Sequence, residues 1–476
     1  ETSGPAGLSA PTPTGRRHTD RGAAAGYVTP PPTASTKYLP PVSNMAMLGR
    51  DRLIEKLSAG AGRKLTVIHG PVGSGKTALA ARWRELLLEE TRVAWMRVDE
   101  DDNTVAWFLA HVVEAIERAR PGGGPYGIVP EEFRGDPEKY LLKTLVDDIV
   151  GCCDPTVVVL DDWHRVTSER TRRALDFLLD HGGSTLLLVV TCQGRAGLPL
   201  GRMRLRDELV EITGSDLQLD VDEAKELLNS CNKLDLSDVA VSMLHAAADG
   251  WLAGLQLSAQ SMAEHQRRER AGPAEVIGGL AGRRTDEYLE ENVLHDLEPK
   301  MAQFLTALCV VDRANGALAG ALTRNAEAQA MLEQACERDL FVLRDDADPE
   351  WYRLHPMFAE FLRRRLQREN PRLERKLHLH ASEWFAQHRM MDEAVEHAMA
   401  AADPARAEVA AAAFDDDTDS NTRLAALLSL VSRLPDTMVP RSKIMMAVAK
   451  TNLALRQSET ARTATKRLER LWKRGV

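Results

Sequence analysis

The sequence is short of aromatic residues and cysteines, and it has no long apolar run. Aromatic side chains make up 5% of its 476 residues, and its six cysteines show no C-x-x-C spacing. This pattern disfavours a zinc site or a disulfide framework, and free thiols in a reducing cytoplasm are expected. No apolar run reaches the ~18 residues of a membrane span. The formal net charge of −9 gives no overall basic bias of the kind that marks a nucleic-acid surface.

The residues that are present favour a helix-rich globular protein with about three domains. Hydrophobic residues make up 44% of the chain, enough for sizeable cores. Residues 1–40 are rich in Pro, Gly, Ser, Thr and Ala, which predicts a disordered linker. Because the chain begins at Glu1 rather than Met, we expect it to be a piece of a longer protein.

The most informative stretch follows the apolar run at 65–68 and fits the phosphate-loop pattern G-x-x-x-x-G-K-[ST]. Glycines let the backbone close around an anion, and the helix N-terminus adds N–H groups. Lys76 is expected on the β- and γ-phosphates of ATP or ADP, and the Thr77 hydroxyl on Mg²⁺. A glycine-rich turn without a ligand is the alternative, which the register of strand, loop and helix disfavours. The predicted nucleotide-binding residues here are Gly70, Pro71, Val72, Gly73, Ser74, Gly75, Lys76, Thr77 and Ala78.

A second apolar run, of four residues at 157–160, is followed by two carboxylates. Ligands of parallel sheets bind beyond the carboxyl ends of the strands. Asp161 is therefore the candidate that holds Mg²⁺ through water, and Asp162 is the catalytic candidate that orients or polarises an attacking water. A solvated turn is the alternative, but the phosphate loop in the same alternating pattern favours the functional interpretation.

The alternation of strands and helices up to residue 215 predicts an α/β P-loop NTPase domain with a parallel sheet. Its strands are expected near 65–68, 93–98, 156–161, 185–191 and 208–213. After residue 216 helices dominate, and two short apolar runs near 340–343 and 351–354 predict the hairpin of a winged-helix domain. From residue 371 onward, helix pairs of ~34-residue period predict a tetratricopeptide-like repeat. The expected divisions are a linker at 1–40, the P-loop domain at 41–215, a helical domain at 216–284, the winged-helix domain at 285–370 and the start of the repeat at 371–476.

Several stretches together resemble the MalT-like, large LuxR-type regulators, which are signal-transduction P-loop ATPases. They include TKYLPP before GRDRLIEKL, VVVLDDWHRV, DGWLAGLQL and LHPMFAEFLRRRL, and the resemblance covers about residues 36–405. It implies that the three domains close around the nucleotide and that an effector binds the helical repeat. It also implies a homo-oligomer on activation. DNA binding is implied only through a C-terminal helix-turn-helix, which is absent from this sequence.

The resemblance also implies two further site residues. His355, in LHPMF, sits where related switch ATPases place a histidine near the β-phosphate, with a merely structural cap of the wing as the alternative. Gln193 stands where the family has a phosphate-sensing arginine, which disfavours efficient hydrolysis but not binding. Arg195, two residues later, is the candidate replacement for that arginine.

Three functions stay open at this point. The first is an ATP-gated switch of a transcriptional regulator, with slow hydrolysis controlling an open and a closed form. The second is the regulatory ATPase and repeat region of a larger signalling protein, such as a serine/threonine protein kinase. The third is a metabolic ATPase or kinase. It is disfavoured because the sequence offers no substrate pocket, no base beyond Asp162 that would position a nucleophile, and no sensor arginine at 193.

Overall fold

The computed structural model describes residues 33–41, 48–60, 62–87, 91–119, 137–151, 155–195, 197–267, 282–345 and 347–401. Most of the linker expected at 1–40 lies outside these ranges, as does the predicted repeat beyond residue 401. In the described ranges, no helix is long and apolar enough to cross a membrane.

Five parallel strands form the sheet of the first domain, in the order β2-β3-β4-β1-β5. This confirms the expected α/β fold, and the strand limits differ from the expected ones by about one residue. All residues of β1 and β3 are buried, as expected for strands covered by helices on both faces. The strands are β1 (Leu65–His69), β2 (Arg92–Arg97), β3 (Thr156–Asp161), β4 (Leu186–Cys192) and β5 (Leu209–Ile212).

Helices pack on both faces of this sheet, and successive residues of β1 serve different cores because strand side chains alternate. Ile68 packs with Leu53, Leu79 and Trp83 on one face. Val67 packs with Phe108 and other residues on the opposite face. The helices are α1 (Asp51–Ala59), α2 (Lys76–Leu87), α3 (Val105–Arg118), α4 (Pro137–Gly151), α5 (Glu169–His181) and α6 (Leu200–Leu205).

A helical region follows the sheet, and single π-helical turns at 226–231 and 290–294 extend two of its helices. Its core is continuous with that of the next region, since one apolar cluster runs from Leu219 to Ala398. The helices are α7 (Gly214–Leu217), α8 (Val221–Lys225), α9 (Asp238–Ala248), α10 (Leu252–Arg267), α11 (Arg283–Leu289), α12 (Pro299–Leu308), α13 (Gly316–Thr323) and α14 (Ala328–Glu337).

An antiparallel hairpin, β6 (Val342–Arg344) with β7 (Tyr352–Leu354), confirms the predicted wing. The strand bridge between Ala314 and Tyr352 ties this wing to the segment before α13. Three helices follow, of which the last two pack closely together: α15 (Pro356–Glu369), α16 (Pro371–Gln387) and α17 (Met391–Ala400).

Candidate nucleotide site

The phosphate loop is a tight turn between β1 and α2. The strand ends at His69, and the helix begins at Lys76. Between them, Gly73 and Gly75 have φ angles of 74° and 91°, in the left-handed region that favours glycine. The loop therefore has the backbone that its glycine spacing predicts, with a helix N-terminus facing the space in front of it.

Lys76 places a buried ammonium group inside the loop. Its Nζ donates hydrogen bonds to the carbonyls of Gly70 and Pro71, both at 2.8 Å. Among the described residues, no carboxylate lies within salt-bridge distance of it. Burial lowers the pKa of Lys76, while the charges of Asp162 and Asp339 oppose that shift. A buried cation held only by carbonyls is the charge that an anionic ligand would neutralise.

Thr77 and Asp161 meet as the sequence predicts. The Thr77 hydroxyl donates to Asp161 Oδ1 at 2.8 Å, and the Thr191 hydroxyl donates to the same oxygen at 2.5 Å. Burial raises the pKa of Asp161, the neighbouring Asp162 raises it further, and the two hydroxyls oppose the shift. The carboxylate is thus buried at the end of β3, beside the first turn of α2.

Asp162 directly follows β3 and pairs with a residue at the end of β2. Its backbone is left-handed, with φ 64°, and its N–H donates to Thr191 Oγ1 at 3.0 Å. Its Oδ2 accepts a hydrogen bond from Arg97 Nε at 3.2 Å. The sequence gave no indication of this arginine partner.

A cavity of about 380 Å³ opens in front of the loop, a size suited to a small ligand. It lies between the phosphate loop, α7, the turn before α10 and the wing. A larger cavity of about 610 Å³ lies between residues 290–306 and 365–373, but it contains no phosphate-loop residue. The lining of the 380 Å³ cavity includes His69, Pro71, Ser74, Arg195, Thr213, Trp251, Asp339 and His355.

The start of α10 holds the phosphate loop through two hydrogen bonds. Trp251 Nε1 donates to the Val72 carbonyl at 2.9 Å, and the Ala253 N–H donates to the Gly73 carbonyl at 3.0 Å. Trp251 is 3% exposed, and its ring also lies edge-on to Phe341. The Trp251 indole therefore links the phosphate loop to Phe341, the residue that precedes the wing.

His355 follows β7 directly and lies against the helical region. Its ring packs edge-on against Trp251 and Phe341, and Nε2 lies 3.1 Å from the Ala248 carbonyl. Burial lowers the pKa of His355 to about 4, so the ring is neutral near pH 7 and Nε2 carries the proton. His355 thus lines the predicted site, and its Nδ1 is left as an acceptor.

The end of α14 and the segment that follows it contact the loop after β4. The Arg195 N–H donates to the Glu337 carbonyl at 3.3 Å. The Gly194 N–H donates to Asp339 Oδ2 at 3.0 Å, and His69 Nδ1 lies 3.1 Å from the same oxygen. The end of β1, the loop after β4 and the winged-helix region are therefore joined by one carboxylate.

These residues fit a phosphate-bearing ligand. Ser74 Oγ and His355 Nδ1 are buried, line the cavity through their residues, and have no hydrogen-bond partner in the described structure. Lys76 supplies a buried cation. Thr77 and Asp161 supply the oxygen donors that Mg²⁺ prefers. No group of three or more His, Cys, Asp or Glu side chains in the described ranges could hold a metal by itself, so the phosphates and waters would complete the Mg²⁺ shell.

Of the residues predicted from the sequence, Pro71, Ser74, Arg195 and His355 line this cavity and Thr77 contacts Asp161, while Ala78 is exposed on the first turn of α2. The structure adds His69, Arg97, Trp251 and Asp339, none of which the sequence singled out as a site residue. Trp251 lies in the stretch DGWLAGLQL, which carried part of the family resemblance. No local pattern marks Asp339.

Comparison with known protein families agrees with this architecture. The family model described as an AAA domain matches residues 59–195, and the MalT winged helix domain matches residues 289–374. A solved structure, Cdc6p from Pyrobaculum aerophilum, aligns at 14% identity with a TM-score of 0.36, covering 68% of this chain and 95% of that one. That likeness is too low to carry weight.

Two curated relatives are similar over much more of the chain. Serine/threonine-protein kinase PknK of Mycobacterium tuberculosis (strain ATCC 25618 / H37Rv) is 43% identical over 95% of this chain and 41% of its own length. The HTH-type transcriptional regulator MalT of Yersinia pestis (strain Pestoides F) is 30% identical over 77% of this chain and 40% of its own length. This chain therefore spans about two fifths of either relative. Through its P-loop and winged-helix domains, it belongs to the MalT-like family of signal-transduction P-loop ATPases.

Proposed function

We propose that this chain is the ATP-binding switch of a MalT-like transcriptional regulator. ATP favours an open form that assembles into homo-oligomers, and ADP favours a closed form. Slow hydrolysis, with Asp162 orienting the water, returns the first form to the second. Because a ligand shifts such an equilibrium only by its differential affinity for the two forms, binding rather than turnover does the regulatory work.

The observation that carries this proposal is the pair of hydrogen bonds from α10 to the phosphate loop. The carbonyls of Val72 and Gly73 accept from Trp251 and Ala253, which belong to the helical region. A loop that rearranges around phosphates moves these two carbonyls. The nucleotide is thereby coupled to the packing of the helical region and the wing.

In the proposed complex, Lys76 contacts the β- and γ-phosphates, and Thr77 and Asp161 hold Mg²⁺. The bound nucleotide supplies the anionic partner that the buried Lys76 ammonium group lacks among the described residues. His355 Nδ1, an acceptor in the described form, contacts the β-phosphate after the ring takes a second proton. Arg195 lines the same cavity and supplies positive charge near the phosphates.

The test is the affinity for ATP of a Lys76→Ala variant, measured by calorimetry in the presence of Mg²⁺. A charge-assisted hydrogen bond contributes about 1.5–3 kcal/mol, so affinity is expected to fall about 10- to 150-fold. The fold is expected to persist, because the substitution removes a desolvated charge. Lys64→Ala is the matched control, since Lys64 lies at the other end of β1 and its partly exposed side chain pairs with Glu208.

Unchanged ATP affinity in Lys76→Ala would refute the nucleotide site. A steady-state turnover above ~1 s⁻¹, within the usual enzyme range, would refute the switch and support a metabolic ATPase.

A second candidate is the regulatory region of a serine/threonine protein kinase. The 43% identity to a protein of that name, over 95% of this chain, favours it. Reading the gene on both sides of this segment separates the two candidates. A kinase domain before Glu1 supports the kinase, and a helix-turn-helix after Val476 supports the regulator, which would bind DNA only through that element.

We also propose that the helical repeat binds the effector and that the protein works in the cytoplasm. Two arguments support this location. The proposed switch needs ATP, and the described cysteines 192, 231, 309 and 336 are free thiols, as is usual in a reducing compartment.

A further inference from the structure

We propose that Asp339 is the group through which the winged-helix region distinguishes ATP from ADP. Resting on the proposed nucleotide switch, this inference identifies a discriminating residue within it. In the described form, the Asp339 carboxylate is held beside the phosphate loop. A terminal phosphate brings a second anion to the same place and displaces the carboxylate, whereas ADP leaves it bound.

The contacts of Asp339 place it in the site rather than in its own domain. Its Oδ2 accepts from the Gly194 N–H at 3.0 Å and lies 3.1 Å from His69 Nδ1. These partners precede Asp339 by 145 and 270 residues. One immediately precedes the phosphate loop, and the other follows the strand end next to it. A side chain that only capped α14 would bond to its own helix.

The charge of Asp339 bears on the phosphate-binding lysine. Asp339 is one of the charges that oppose the burial-induced fall in the pKa of Lys76, and its side chain is 21% exposed. Lys76 and Asp339 therefore lie within one poorly solvated region. In such a region, the Asp339 carboxylate and a phosphate group repel each other strongly. A γ-phosphate attracted by Lys76 is repelled by this carboxylate, and the residue that directly follows β4 is the neutral Gln193.

The neighbouring backbone is arranged so that this contact is close. Gly194 has φ 66°, and a Cβ added there would lie 2.3 Å from the Glu337 carbonyl. The two segments therefore touch backbone to backbone. Displacing the carboxylate therefore removes two of the contacts that hold the stretch after α14 against the P-loop domain.

The stretch that carries Asp339 is strained. Asp339 and Phe341 have φ angles of 51° and 58°, which are left-handed conformations. Aspartate tolerates this region, but a bulky aromatic residue there is a true outlier. Such strain persists only where surrounding contacts impose it, and it collects at switch regions. Release of the Asp339 contacts lets this stretch relax, which favours the open form.

The test compares Asp339→Asn with wild type in the full chain. Asparagine keeps the size and the acceptor oxygen but removes the charge. We would measure the affinities for ADP and for a non-hydrolysable ATP analogue by calorimetry with Mg²⁺. The preference for the ATP analogue over ADP is expected to rise by about 5- to 150-fold, the usual range of coupling between sites. Asp348→Asn, which removes an exposed carboxylate from the wing turn, is expected to change neither affinity.

A second measurement needs no nucleotide. Backbone hydrogen exchange over residues 337–344 is expected to be faster in Asp339→Asn than in wild type, because an uncharged amide holds the Gly194 N–H and His69 less strongly. The inference is overturned if the ATP-to-ADP preference of Asp339→Asn equals that of Asp348→Asn, or if exchange there is unchanged. Failure of wild type to bind either nucleotide would instead overturn the proposed function, and the Lys76→Ala comparison tests that separately.

Discussion

Replacing Gly73 by alanine should separate the helical region from the phosphate loop. Gly73 has φ 74°, and a Cβ added there would lie 2.6 Å from Ala253 Cβ and 2.8 Å from the Tyr288 hydroxyl. Neither atom belongs to the P-loop domain. The substitution therefore perturbs the contact between the loop and α10 more than it perturbs the loop.

The size of the effect follows from two costs. A left-handed conformation costs a non-glycine residue about 1–2 kcal/mol. Overpacking at the contact costs about 1–3 kcal/mol more. This cost is comparable to the stabilisation from the two hydrogen bonds between the start of α10 and the loop, which contribute about 0.5–1.5 kcal/mol each. The start of α10 is therefore expected to shift away and lose about 1–3 kcal/mol of protection.

Hydrogen exchange at the Ala253 amide measures this loss directly, because that N–H donates to the Gly73 carbonyl. A loss of about 1–3 kcal/mol corresponds to exchange that is about 5- to 150-fold faster. Gly62→Ala is the matched control: Gly62 has φ 99°, but no atom lies within 4 Å of an added Cβ. That variant carries backbone strain without a domain contact.

Faster exchange at Ala253 in Gly73→Ala, with no change in Gly62→Ala, is the expected result. Equal exchange at Ala253 in both variants would refute the coupling between the phosphate loop and the helical region, and with it the observation that carries the proposed switch.

Two further predictions concern stability. Burial lowers the pKa of His355 to about 4, from an ordinary value of 6.5. Between about pH 4 and 6.5 the unfolded chain therefore binds a proton that the folded chain does not bind, and stability falls as pH falls through that window. His355→Gln should remove about 2 kcal/mol of the stability lost between pH 7 and pH 4.5, seen as a smaller difference between urea unfolding at these two pH values. Lys37 is buried and forms ion pairs with Asp99 and with the fully buried Asp102. Lys37→Met should lower the free energy of unfolding by about 3 kcal/mol, measured with urea at pH 7, because it leaves both carboxylates without this partner.

Each of these variants has an exposed counterpart. His181→Gln, on the exposed side of α5, is the matched control, and an equal change in both histidine variants would contradict the role of burial at His355. Lys225→Met removes a surface pair with Asp238 and should change unfolding little. If Lys37→Met unfolds like Lys225→Met, the buried network does not hold residues 33–41 against β2 and α3.

The buried network around Lys37 is centred on the Asp102 carboxylate. Asp102 accepts from Lys37 at 2.8 Å and pairs with His111 Nδ1 at 2.7 Å. Burial alone would raise the pKa of Asp102, but the hydrogen bonds from His111 and Lys37 hold it below its usual value. The TKYLPP stretch carried part of the family resemblance, but only the fold shows that its lysine enters a buried acidic pocket.

The sequence by itself determined the features that depend on neighbouring residues. The phosphate loop spans only residues 70–77, so its glycine spacing fixes its backbone, and the strand and helix on either side follow from local apolar patterns. The same holds for β3 with Asp161 at its end and for the hairpin of β6 and β7. The meeting of Thr77 with Asp161 could also be predicted, because parallel strands end at one edge of a sheet.

Only the tertiary structure decided what surrounds the loop. Trp251 reaches Val72 across 179 residues, and Asp339 reaches His69 across 270. Such contacts depend on how whole domains pack, which no periodicity or spacing encodes. In the sequence, an aspartate two residues beyond a helix is indistinguishable from an aspartate in a solvent-exposed turn. The fold brings that carboxylate to the phosphate loop because the backbone after α14 packs against Gly194, where there is no room for a side chain.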